Sequence, residues 1–215
     1  MASVPYESVP VKESGEKLLD LGQFDFVLDT QYFTQGLSSD PRMFLRESVI
    51  EKLLKIQKEL HVYKFKIWDG FRPREVQRKL YDRFFNELKR QHSDWSDAEL
   101  HREVSVYVSN PYNPKRIPSH TTGGAVDLTL VTTDGSELDM GTEFDHFGSE
   151  AASFYFEKNN LSKHIVENRK ILRETIIAED FYSYEAEWWH FDFGTQLWAF
   201  RLAKPYAIYG EMETP

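Results

Sequence analysis

Residues 119–131 read SHTTGGAVDLTLV. A hydroxyl-rich entry passes through two glycines into a largely apolar run, the pattern of a loop feeding a strand over Ala125–Val131. The run stops at Thr133-Asp134-Gly135, a turn. Just upstream, Asn110–Pro118 carries three prolines and is expected to be irregular. Inside the strand, Asp127 stands among Ala125, Val126, Leu128 and Leu130. A carboxylate in such company is costly unless it is paired. A metal shared with His120 would resolve that cost, and so would an arginine or a cluster of backbone donors.

Around this strand the other elements follow from periodicity. Lys64–Trp68 (KFKIW) alternates as a half-buried strand and ends at Asp69-Gly70-Phe71-Arg72-Pro73. Phe24–Leu28 (FDFVL) has β-formers enough for a short strand, and Trp188–Phe193 reads as another. Val49, Ile50, Leu53, Leu54 and Leu60 recur at helical spacing, so a helix is expected from the cap Ser39-Asp40-Pro41 to Leu60. Val76, Leu80, Phe84 and Leu88 predict a second over Pro73–Gln91. Ser96 and Glu99 have capping-box spacing for a third that runs to Val108. Two more helical patterns cover Glu150–Lys158 and Lys163–Ile177, and the aromatic tail Trp198–Tyr209 is expected to pack on the core. Few strands without regular βαβ alternation point to an α+β fold, a small central antiparallel sheet with helices packed on one side. No linker interrupts the chain, so residues 1–215 read as a single domain, with residues 1–23 a polar segment wrapping its surface.

Composition limits the chemistry. The 215 residues include no Cys, which excludes disulfides, thiolate metal sites and a Cys nucleophile. Any metal must therefore be held by His, Asp or Glu. With 26 Lys+Arg against 35 Asp+Glu the net charge is -9, and nucleic acid is not an expected partner. No apolar run approaches the roughly 20 residues of a membrane span. Met1–Leu18 lacks the apolar core of a secretory signal, so the expected place is the cytoplasm, or the periplasm had such a signal been removed. The 16 Phe, 11 Tyr and 5 Trp must dominate the core or line a pocket.

His61, His92, His101, His146 and His164 sit among polar neighbours and read as surface residues. His190 does not. In Glu187-Trp188-Trp189-His190-Phe191 a carboxylate and an imidazole stand three apart within an aromatic stretch. Strict strand alternation would put them on opposite faces, so both reach one site only if Glu187 lies at the strand's mouth or a bulge intervenes. The alternative is a core histidine bonded to a neighbour. Together, His120, Asp127 and His190 supply two imidazoles and one carboxylate, a set suited to one zinc ion with an open position. Glu187 would then be a general base, and Trp188, Trp189 and Phe191 would keep bulk water out. Arg72 is either a surface residue paired with Asp69 or a donor aimed at an oxyanion.

The segments WDGFRP, SHTTGGAVDLTL, MGTEFDHF and EAEWWHF occur in this order, with Asn168-Arg169-Lys170-Ile171-Leu172 before the last. They resemble the landmarks of the D-alanyl-D-alanine dipeptidases, zinc enzymes of the Hedgehog/D,D-peptidase-like fold group, and the resemblance spans Phe24 to His190. It implies zinc on His120, Asp127 and His190, with Glu187 as base and then as acid to the leaving amine. It implies Arg72 as the group that stabilises the transition state. Asp145 matches a carboxylate that binds the substrate ammonium, Ser119 a substrate contact, and Tyr32 a pocket position. The chain departs from the family in having one serine rather than two before His120, and in the sequence around Tyr32. The substrate implied is a small zwitterionic dipeptide such as D-Ala-D-Ala. Two other readings use the same residues: a D,D-carboxypeptidase or peptidoglycan hydrolase acting on longer peptides, and a non-catalytic zinc-containing interaction module. Glu187 together with Arg72 weighs against the second.

Overall fold

The computed structural model describes residues 6–215; the first part of the expected surface segment, Met1–Pro5, lies outside the described residues. In chain order the elements are β1 (Leu18–Asp20), β2 (Val27–Leu28), α1 (Gln31–Thr34), β3 (Phe44–Arg46), α2 (Glu47–Leu60), β4 (Tyr63–Asp69), α3 (Arg74–Gln91) and α4 (Asp97–Tyr107). Then come β5 (Ala125–Thr132), α5 (Tyr155–Lys158), α6 (Lys163–Ile177), β6 (Tyr182–Ser183), β7 (His190–Asp192) and α7 (Gln196–Arg201). No helix among the described residues is long and apolar enough to cross a membrane.

Alternation builds the core. Val126, Leu128 and Leu130 of β5 are buried with Phe65 and Ile67 of β4, beneath Ile50 and Leu53 of α2 and Leu172 and Ile176 of α6. Each such side chain contributes about 1.5–3 kcal/mol on burial, which holds both helices to that side of the sheet. Asp127 has the opposite parity in β5 and points away from this layer. A second cluster joins Tyr32 and Leu37 to Val76, Leu80 and Tyr81 of α3 and Val104 of α4. Helices are thus not confined to one layer: α2 and α6 back the sheet, while α3 and α4 pack around a cluster of their own.

The central sheet has five strands in the order β2-β4-β5-β7-β6. All its pairings are antiparallel except the edge pair β2–β4, which is parallel, so the sheet is mixed rather than purely antiparallel. A separate antiparallel pair joins β1 to β3. That pair corrects the expected helix from Ser39: Phe44–Arg46 is extended and buried, and the helix begins only at Glu47. The strand was hidden because its partner, Leu18–Asp20, lies far off in sequence. The strand expected over Phe24–Leu28 shrinks to Val27–Leu28. The helix expected over Glu150–Lys158 divides into a 3-10 turn at Ser149–Ala151 and α5. Trp188 and Trp189 form a turn, so that strand starts at His190. The capping box at Ser96 and Glu99 is present, with both reciprocal bonds made.

Arg46 fastens the two chain ends to this core. Its side chain is fully buried yet charged, an arrangement that demands partners. Nη1 donates to Glu13 at 2.9 Å, Nε to the Thr122 carbonyl at 2.7 Å and Nη2 to the Gly210 carbonyl at 3.3 Å. The segment before β1 is otherwise half-buried or exposed and bridges the C-terminal tail at Val11 and Ala207.

Candidate metal centre

The sheet register lines up the chemistry. In β4–β5 the pairing runs from Tyr63↔Thr132 to Ile67↔Leu128, then shifts so that Asp69 lies opposite Asp127. Such an irregularity re-aims a side chain at the end of a strand. On its other side Asp127 pairs with His190 of β7. Asp69, Asp127 and His190 therefore form one row across three strands, where opposed side chains share a face. His120 enters from the 3-10 turn Ser119–Thr122 that precedes β5. Gly123 ends this turn at φ 71, a left-handed conformation that a side chain disfavours, and this lets the chain reverse into the strand. The backbone N–H of Arg72 donates to the His120 carbonyl at 3.0 Å, tying the turn to the end of β4.

Three buried ligand atoms converge. His120 Nε2 lies 3.1 Å from His190 Nδ1, which lies 2.9 Å from Asp127 Oδ1, and His120 Nε2 is 3.3 Å from Asp127 Oδ2. The outer nitrogens are already committed: His120 Nδ1 is 2.8 Å from the Gly70 carbonyl, and His190 Nε2 is 2.9 Å from Asp192 Oδ2. With those positions donating, the inner imidazole nitrogens present lone pairs, and so does Asp127. Mutually facing acceptors are relieved by positive charge between them, a proton or a metal ion. Two imidazoles and one carboxylate suit zinc, and outer partners of this kind orient metal-binding histidines. The surroundings favour positive charge at this point. Burial alone would lower the His190 pKa, but Asp192 and Asp127 hold it well above the usual histidine range, so a metal ion binding there displaces a proton. Burial likewise works to raise Asp127, yet His120 and His190 keep it well below the usual carboxylate range.

Glu187 meets its geometric demand from the turn just before β7. It is buried, and its Oε2 lies 3.9 Å from His190 Nδ1. Burial, with added pressure from Asp127 and Asp145 and relief from His190, raises its pKa well above the usual range. Arg72 pairs with Asp69, as one of its two readings had it, but it is buried rather than on the surface. It donates through Nε to Asp69 at 2.9 Å, through Nη1 to Gln77 at 2.8 Å and through Nη2 to the Tyr32 hydroxyl at 3.1 Å, with Nη2 3.7 Å from Asp127. Tyr32 in turn donates to Asp145 at 3.1 Å. Burial pushes the Asp145 carboxyl up to about 7 against the pull of Arg72. The loop carrying Asp145 is held by Arg169, which donates to the carbonyls of Met140, Glu150 and Ala152. That gives the Asn168–Leu172 landmark a structural job.

His120, Asp127, His190, Glu187, Arg72, Gln77, Tyr32 and Asp145 border one cavity of about 440 Å³, and so does Ser119. The aromatic wall differs from expectation. Trp189 lines the cavity, but Trp188 stacks edge-on against Trp68 and lines a separate hollow, and Phe191 lies wholly in the core. Tyr6, Tyr32, Tyr107, Tyr184 and Phe200 complete the wall. His61, His92, His101, His146 and His164 do not border it. Sequence reasoning missed Asp192, Gln77 and the Gly70 carbonyl. Asp192 had a signal, because two positions after His190 in a strand is the same face.

A family model described as D-ala-D-ala dipeptidase matches residues 24–209. A D-alanyl-D-alanine dipeptidase of Synechocystis is 25% identical over 97% of this chain and 97% of its own length. One from Enterococcus faecium is 29% identical over 66% of this chain and 68% of its own. Among solved structures, the vancomycin-resistance D,D-pentapeptidase VanY in complex with Zn(II) is 14% identical, with a TM-score of 0.48 over 84% of this chain and 85% of that one.

Proposed function

The chain belongs to the D-Ala-D-Ala dipeptidase family, and we propose from this that it hydrolyses D-Ala-D-Ala, or a D,D-dipeptide of similar size, as a zinc metallopeptidase. His120, Asp127 and His190 hold the ion, one per chain. Zinc in such a site polarises a carbonyl and lowers the pKa of a bound water to about 7.

The chain's own groups do the rest. Glu187 takes the proton of the attacking water and returns it to the departing amine. Its raised pKa makes the protonated form easy to hold, as the second half of that task requires. Arg72 directs guanidinium donors toward the oxyanion that develops on the scissile carbonyl, and Asp69 and Gln77 fix its fork. Asp145, steadied by Tyr32, receives the substrate ammonium. Trp189 and its aromatic neighbours exclude water, which strengthens each of these interactions. Cytoplasmic residence is part of this reading, and cell fractionation tests it.

The observation that carries the proposal is the convergence of three lone-pair donors in a cavity that also contains Glu187 and Asp145. The test is metal content together with turnover of D-Ala-D-Ala and its N-acylated form. The expected result is about one zinc per chain and activity on the free amine alone. Glu187→Ala keeps the metal and loses turnover by about 100- to 10,000-fold. Near-normal activity in metal-loaded Glu187→Ala would remove Glu187 from its role, and preference for acylated peptides would indicate a carboxypeptidase.

A further inference from the structure

A zwitterionic dipeptide has a second charge that the groups above do not meet. Fully extended, its carboxylate lies about 7 Å from its ammonium, so Asp145 and Tyr32 cannot serve both ends. Ser119 is expected to contact the substrate, yet its side chain hydrogen-bonds Asp192. Arg72 is held by Asp69, Gln77 and Tyr32 and is assigned to the oxyanion. Arg201 borders the cavity but is 42% exposed and paired with Glu185, and pairs that open to solvent contribute little.

Arg116 remains. It lies three residues before Ser119, borders the same cavity and has a side chain only 22% exposed. Its backbone is pinned, the carbonyl accepting from Arg74 Nη2 at 3.2 Å and the N–H donating to Asn113 at 3.1 Å. The guanidinium lies 4.9 Å over the Tyr6 ring. It already carries a carboxylate: Glu7 Oε1 sits 2.9 Å from both Nε and Nη2. Nη1 makes no hydrogen bond among the described residues. Glu7 borders the cavity too, and Gln196 holds its backbone carbonyl at 3.3 Å. An internal carboxylate on a cavity arginine shows what that arginine is shaped to hold.

We propose that Arg116 is the receptor for the substrate's terminal carboxylate, and that Glu7 occupies it in the free enzyme. The inference rests on the dipeptidase reading and adds to it the residue that recognises the free C-terminus. An incoming carboxylate shares the fork through Nη1 or displaces Glu7. A planar five-donor guanidinium suits that exchange better than an ammonium. The consequence is selectivity for a free carboxyl end, set by a residue outside the metal centre.

The experiment is steady-state kinetics of zinc-loaded wild type, Arg116→Met and Glu7→Gln on D-Ala-D-Ala and on its C-terminal amide. Arg116→Met should raise KM for the free acid about 10- to 100-fold, the size of one charge-assisted bond, with kcat nearly unchanged. KM for the amide should not move. Glu7→Gln should lower KM for the acid several-fold and leave the amide alone. An Arg116→Met enzyme with normal KM for the acid, or with acid and amide affected alike, overturns the proposal. Should Arg116→Met fail to fold, Glu7→Gln decides: a lower KM confined to the acid supports it, and an unchanged KM overturns it. If the wild type turns over neither compound, the dipeptidase reading falls and this inference falls with it.

Discussion

Replacing Asp192 tests how the protein holds His190. Asp192 is fully buried, accepts from His190 Nε2 at 2.9 Å and from the Thr195 hydroxyl at 2.7 Å, and has no exposure through which water could replace either bond. Asp192→Asn keeps an oxygen for His190 but removes the charge. A bond to a charged group contributes about 1.5–3 kcal/mol against about 0.5–1.5 for a neutral pair, a difference near 1–1.5 kcal/mol. At about 1.4 kcal/mol per decade, the zinc dissociation constant should rise roughly tenfold. Asp192→Ala leaves the His190, Thr195 and Ser119 donors without their acceptor and frees the ring to turn. The loss should then reach about 100-fold, the upper part of the range for outer partners of metal ligands. Competition against a chromophoric chelator at neutral pH measures both, and the visible spectrum of the cobalt-loaded protein reports whether an imidazole has left the metal. The expected order is wild type, Asn, Ala, with thermal unfolding of the Asn variant close to wild type. Zinc held by Asp192→Ala as tightly as by wild type would refute the reasoning, because the ring would then be oriented by something else.

Asp145 gives a pH signature. Desolvation of its carboxyl pushes the pKa up to about 7, so KM for D-Ala-D-Ala should rise as pH falls through that value, while Asp145→Asn shows a high KM with no such slope. The same raised pKa means that stability from the neutral carboxyl is intact below about pH 4 and is lost as pH rises toward 7. The Asn variant should therefore resist urea better than wild type at mildly alkaline pH and equally at low pH; a reversed order would contradict the burial argument. Gly70→Ala would bring a Cβ to 2.5 Å from the Phe44 carbonyl, displacing the carbonyl of residue 70 that orients His120. Urea denaturation should show a loss of about 1–3 kcal/mol, and chelator competition a weaker hold on zinc; no change in either would mean that the backbone there yields freely.

The grouping of His120, Asp127 and His190 was legible because each stands out in its local pattern. Asp127 interrupts an apolar strand, His190 sits inside an aromatic run, and His120 lies in the glycine-bearing turn that enters the strand. The helices α3, α4 and α6 were legible for a similar reason, since their spacing, and for α4 its capping box, is written within a single segment. What escaped was non-local. The strand Phe44–Arg46 exists because it pairs with Leu18–Asp20, and helical spacing further on drew the boundary backwards. The parallel edge β2 is two residues long and is recognisable only from β4 beside it. Arg72 looked ambiguous because its partners Gln77 and Tyr32 come from separate elements, and only the fold brings them to one guanidinium. Trp188 and Phe191 were assigned to the cavity by sequence proximity alone. The turn before β7 sends one toward Trp68 and alternation sends the other into the core.

The contacts of Arg46 bear on the moment at which the enzyme becomes active during synthesis. All three converging ligands have been translated once His190 is in place. Even so, the turn that carries His120 then lacks two of its fastenings. The Thr122 carbonyl shares the Arg46 guanidinium with the carbonyl of Gly210, and the Thr121 carbonyl accepts from the backbone N–H of Met212 at 2.9 Å. A nascent chain therefore holds its ligands before it holds their geometry. The latch closes only after residues some twenty positions further on have emerged from the ribosome.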